Sequence, residues 1–81
     1  MELTAGQIRA ARALLDWSQA KLAEKTKLSV LTIRRMEGSR GPSGSTEANV
    51  EAVRRALENA GVIFLEPQST KDGGAGVRLK K

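Results

Sequence analysis

The sequence contains no cysteine and no histidine, and its only aromatic residues are Trp17 and Phe64. Without cysteine there is no disulfide framework and no thiolate site, and without histidine most zinc chemistry is excluded as well. An enzyme built from this chain would depend on carboxylates, lysine, serine or threonine. No pair of these is spaced for catalysis, so the chain is read as a non-enzyme without a cofactor or metal. Two aromatics do not make a base-stacking set, and Trp17 is expected to plug the join between the first two helices. The longest apolar run, Val62–Leu65, is far too short to cross a bilayer. The opening MELTAGQ lacks the charged and apolar regions of a signal peptide. A cytoplasmic protein is expected.

What the chain does have is positive charge, and it is concentrated. The 81 residues carry a net +5 from 14 basic and 9 acidic side chains, a length at which a single core only just suffices. Residues 17–40 hold Lys21, Lys25, Lys27, Arg34, Arg35 and Arg40 against Glu24 and Glu37, a local +4. Residues 41–60 are slightly acidic, with Glu47, Glu51 and Glu58 against Arg54 and Arg55. Such a concentration is the electrostatic footprint of a nucleic-acid binder, although a lysine-rich surface has the same composition.

Within that basic stretch, Ser18–Glu37 reads as two short helices around a tight corner. Ser18 suits the N-cap of the first, where its hydroxyl can accept from an orphan N–H. Leu22 and Ala23 form its inward stripe, and Thr26-Lys27-Leu28 ends it. Ser29 caps the second, with Ile33 and Met36 facing the core. Val30, Leu31, Arg34 and Arg35 are then expected on the opposite face. Two apolar and two cationic side chains there suit a helix lying in the major groove of DNA.

The flanking segments complete a mainly α domain. Thr4 and Gln7 match a capping box, opening a helix that should bury Ile8, Ala11 and Leu15, with Arg12 unusually close to that face. Gly38–Ser45 reads as a loop. Its GPSGST resembles a phosphate-binding loop but lacks the lysine and the preceding strand, which excludes nucleotide binding. A fourth helix should start near Ser45 or Thr46 with Glu47 in its first turn, bury Val50, Val53, Leu57 and Ala60, and stop at Gly61. Val62–Leu65 and Gly76–Lys80 then read as a β-hairpin around a polar turn at Glu66–Ala75. Alone such a hairpin is marginal, so it must pack on the helices or pair with another copy.

Trp17-Ser18-Gln19-Ala20-Lys21-Leu22-Ala23, Leu28-Ser29, Thr32-Ile33 and Glu37 together resemble the helix-turn-helix of the phage-repressor/Cro (XRE) family, over about residues 4–61. The resemblance implies a four-helix DNA-binding domain over residues 1–61, with residues 62–81 as an added hairpin. It makes the helix from Val30 to Glu37 the recognition helix, with Val30, Leu31, Arg34 and Arg35 as base readers. Ser18, Gln19, Lys21, Ser29, Thr32 and Arg40 are expected on the DNA backbone. Arg12 and Glu37 match a family ion pair joining the first helix to the end of the third. The chain departs from the family twice, with Lys27 where the corner usually has glycine and with Gly38 one place early after Glu37.

The function these features imply is a transcriptional regulator, a repressor in type, reading double-stranded DNA as a homodimer. Ile63, Phe64, Leu65, Val77 and Leu79 are the expected dimer contacts. The alternative is a protein-interaction module such as the antitoxin of a toxin–antitoxin pair, with Val30 and Leu31 as the contact patch.

Overall fold

The computed structural model describes residues 3–65 and 76–80, so the turn expected over Glu66–Ala75 lies outside the described residues. The elements run α1 (Ala5–Leu15), α2 (Gln19–Thr26), α3 (Val30–Met36), a 3₁₀ turn (Gly41–Gly44), α4 (Glu47–Asn59), β1 (Val62–Leu65) and β2 (Gly76–Leu79). The architecture is mainly helical, closed by an antiparallel two-stranded hairpin.

Local chemistry sets the helix boundaries. Thr4, Ser18, Ser29 and Thr46 each cap a helix, the side-chain oxygen accepting from the backbone N–H three residues on. At α1 the box is reciprocal: the Gln7 N–H donates to Thr4 Oγ1 at 3.1 Å, and Gln7 Oε1 accepts from the Thr4 N–H at 3.0 Å. Helix α1 stops where Asp16 turns left-handed (φ 58°), and α2 where Lys27 does the same (φ 62°). At the corner after α2, Lys27 itself takes the uncommon left-handed conformation. Thr26 secures the turn, its hydroxyl bonding the carbonyls of Leu22 and Ala23 and accepting from the Leu28 N–H.

Gly38–Ser45 is more ordered than a bare loop. It winds into the 3₁₀ turn, buries Pro42, and places its positive φ at Gly41 (67°) rather than at Gly38. On α4, Arg54 bridges Glu51 at 2.7 Å and Glu58 at 3.2 Å. The hydrogen bonds from Arg54 hold the Glu51 carboxyl below the usual carboxylate range.

Ile8, Leu22, Ile33, Met36, Val53 and Leu57 are fully shielded from water at the centre, with Leu3, Ala11, Ala23 and Val62 around them. Burial of each of the six large side chains is worth about 1.5–3 kcal/mol. Leu15, Val50 and Ala60 are only half-buried, and Gln7 takes a place on the buried face of α1 that the sequence pattern did not assign to it.

Helices α1 to α4 do not close this core alone. The register pairs Val62 with Leu79, Ile63 with Arg78, Phe64 with Val77 and Leu65 with Gly76. Alternation then turns Val62, Phe64 and Val77 toward the helices, where Val62 is buried and the other two pack against the core. The hairpin thus folds back on its own chain, against α1 and α4. Phe64 and Val77, expected at a dimer contact, are partly buried by that packing. Gln7 fastens the strand ends, its Nε2 donating to the carbonyls of Leu65 (3.2 Å) and Gly76 (3.1 Å).

Candidate nucleic-acid interface

Helix α3 is only seven residues long, too short to hold its place by helix propensity. It is positioned by side chains gathered on Glu37, which follows its last turn. Arg12 Nε meets Glu37 Oε2 at 2.7 Å and Arg12 Nη2 meets Oε1 at 2.8 Å, a two-point fork that fixes direction as well as distance. Gln19 Nε2 adds a bond to Oε1 at 3.2 Å, and Arg12 Nη1 also donates to the Trp17 carbonyl at 3.0 Å. From α1, Arg9 Nη1 donates to the backbone carbonyl of Glu37 at 2.6 Å. The hydrogen bonds to Glu37 raise the Arg12 guanidinium above its already high ordinary pKa, against the opposing effect of burial. Arg12 and Gln19 therefore join α1 and α2 to the end of α3.

The opposite face of α3 is open. Leu31 is 50% exposed, and Arg34 and Arg35 are exposed beside it, three and four residues on. Among the described residues, no carboxylate pairs with Arg34, Arg35 or Arg40. Val30 differs from the sequence expectation: it is half-buried and packs against the core, so only part of its surface is available outward.

Of the residues expected on a nucleic-acid backbone, Ser18 and Ser29 are exposed with their oxygens engaged as helix caps. The Ser29 and Thr32 hydroxyls also bond one another at 2.9 Å. Lys21 is exposed, its Nζ 3.8 Å from Glu24. Gln19 is half-buried, with its amide turned to Glu37.

Thr32, Arg35 and Arg40 come together along a groove of about 640 Å³ between α3, the 3₁₀ turn and the start of α4. Its far wall is Ser45, Thr46 and Asn49, at the N-terminus of α4. The helix dipole favours an anion there, with Glu47 already in that first turn and the Asn49 N–H bonded to Thr46. The sequence reading did not assign this wall, nor Arg9, a residue of the same helix as Arg12 and one turn before it. A larger groove of about 1010 Å³ lies between the start of α1, the 3₁₀ turn and α4. Glu47 and Glu51 line it together with Arg40 and Arg54, so its charges balance and it offers a polyanion no net attraction.

Among the described residues there is no group of acidic side chains able to hold a metal ion, and no helix long and apolar enough to cross a membrane. Compared with known proteins, the chain matches no family model, no curated protein and no solved structure.

Proposed function

We propose that this chain is a sequence-specific DNA-binding regulator of the phage-repressor/Cro type, acting in the cytoplasm by occupying an operator as a dimer. The observation that carries the reading is the outer face of α3, where Leu31, Arg34 and Arg35 stand together with no carboxylate pairing the arginines among the described residues. An arginine fork can grip guanine O6 and N7 in the major groove, and Leu31 suits a thymine methyl. Arg40, Thr32 and the N-terminus of α4 would take the adjoining phosphates, fixing register without reading sequence. One seven-residue helix spans few base pairs, so useful specificity calls for two copies on a two-fold operator.

Selection of bound sequences from a random DNA pool tests this. A conserved two-fold motif with half-sites about one helical turn apart is expected, with affinity falling steeply as salt rises. A pool that enriches nothing would remove the reading. In that case the half-exposed Leu31 favours the second one, a protein-interaction module whose patch centres on that residue.

A further inference from the structure

We infer that the larger groove, between the start of α1, the 3₁₀ turn and α4, is a regulatory site for a small apolar zwitterion. Such a ligand has a free amine, a free carboxylate and an apolar body. The site itself is independent of the DNA reading above; its regulatory effect rests on that reading.

The lining supplies an apolar floor. Leu3 and Pro42 are buried there, and Ala5 and Val50 are half-buried beside them. The 3₁₀ turn closes this floor against α1, where a side-chain carbon added at Gly41 would stand 4.0 Å from Cβ of Ala5. At about 1010 Å³ the groove lies at the upper end of the range for small-ligand sites. Such sites are mostly apolar, with a few polar groups that fix the ligand's orientation.

Charge selects the ligand. Of the charged residues lining the groove, Arg54 and Glu51 already engage one another at 2.7 Å. Arg54 also reaches Glu58, and Glu51 takes a further bond from Arg55. Among the described residues, no group of opposite charge pairs with the other two, Glu47 and Arg40. One uncommitted carboxylate and one uncommitted guanidinium therefore stand beside an apolar floor. A polyanion would be repelled by Glu47 and a polycation by Arg40. A net-neutral ligand with one amine and one carboxylate satisfies both through charge-assisted hydrogen bonds. An apolar amino acid and a short apolar peptide share this chemistry.

The groove also borders the DNA-reading face. Gly38, Ser39, Arg40 and Gly41 form a ridge with the larger groove on one side and the groove of Thr32 and Arg35 on the other. A ligand carboxylate held at Arg40 takes the cation assigned to a DNA phosphate. Ligand and DNA then oppose one another, and by linkage the opposition is reciprocal.

Leucine and leucyl-leucine are the probes, titrated into the isotope-labelled full chain in the absence of DNA. Saturable shifts of the Ala5, Gly6, Gly41 and Ala48 amides are expected, and the tighter probe tells amino acid from peptide. Acetylating the amine or amidating the carboxylate should weaken binding about tenfold or more. Glu47→Gln should abolish the preference for the free amine. An added side-chain carbon at Gly6 meets nothing closer than 3.9 Å, so Gly6→Phe should fold, occupy the groove and abolish binding of both probes. On a DNA site selected from a random pool, saturating probe should raise the dissociation constant about fivefold or more, and Gly6→Phe should not respond. No saturable shift with either probe would overturn the site, and so would blocked probes that bind as well as free ones. Either result leaves the DNA reading standing. Probe binding that leaves DNA affinity unchanged would overturn the regulatory effect alone. A protein that binds probe but selects no DNA would overturn the DNA reading, and the regulatory effect with it, while supporting the site.

Discussion

The Arg12 guanidinium lies fork-to-fork on the Glu37 carboxylate, at 2.7 and 2.8 Å, and so couples α1 to the end of α3 across 25 residues of chain. The Glu37 side chain is 3% exposed and that of Arg12 20%. Removing either partner leaves the other charged and largely buried, and should cost about 3–5 kcal/mol. Exchanging both for apolar residues of similar volume should cost much less. Urea denaturation of the two single variants and the double variant measures the coupling, and simple additivity would contradict the geometry.

The exposed cations should separate into two behaviours. Arg35→Ala is expected to relax preference at one base pair, costing about 1–3 kcal/mol at a guanine. Lys21→Ala and Arg40→Ala should weaken all sequences alike and lower the salt slope by about one each. Binding measured on matched and scrambled sites at several salt concentrations distinguishes the two. An unchanged preferred sequence in Arg35→Ala would remove α3 as the reading element.

Lys27 carries a backbone cost that its side chain does not recover through any bond to the described residues. At φ 62° a residue with a Cβ is held in the left-handed region, at about 1–2 kcal/mol. Lys27→Gly should therefore stabilise the fold, by about 1 kcal/mol after the greater freedom of glycine in the unfolded chain is subtracted. Thermal or urea unfolding measures it. Destabilisation would mean that lysine satisfies the corner in a way its dihedral angles do not convey.

Gln7 performs two tasks with one amide, and a single-atom change separates them. Gln7→Glu keeps the oxygen that accepts from the Thr4 N–H but replaces the nitrogen that donates to Leu65 and Gly76. A carboxylate facing two carbonyls should cost about 1–3 kcal/mol. The effect should appear as faster amide exchange in the hairpin while α1 stays protected. Equal loosening of both would assign Gln7 to the cap alone.

These residues also mark how far the sequence could be read. The four caps, the ends of the helices and most of the inward stripes follow from contacts within about four residues, so periodicity and cap chemistry locate them. The open face of α3 was legible for the same reason, since Leu31, Arg34 and Arg35 are three and four apart. The Arg12–Glu37 pair was expected only through a family resemblance, because nothing local joins positions so distant.

By itself, then, the sequence determined four capped helices, a hairpin after Gly61 and a basic outward face, all of which rest on short-range hydrogen bonding and side-chain alternation. Tertiary packing decided the rest. It half-buried Val30, packed Phe64 and Val77 against the chain's own core, and set Arg9 on the Glu37 carbonyl 28 residues away. It also gave Gln7 partners 58 and 69 residues along the chain. The reason is physical: a cap is satisfied within one turn of its own helix. Which distant carbonyl a buried amide meets, and which apolar face is left outside, depends on the relative placement of whole elements.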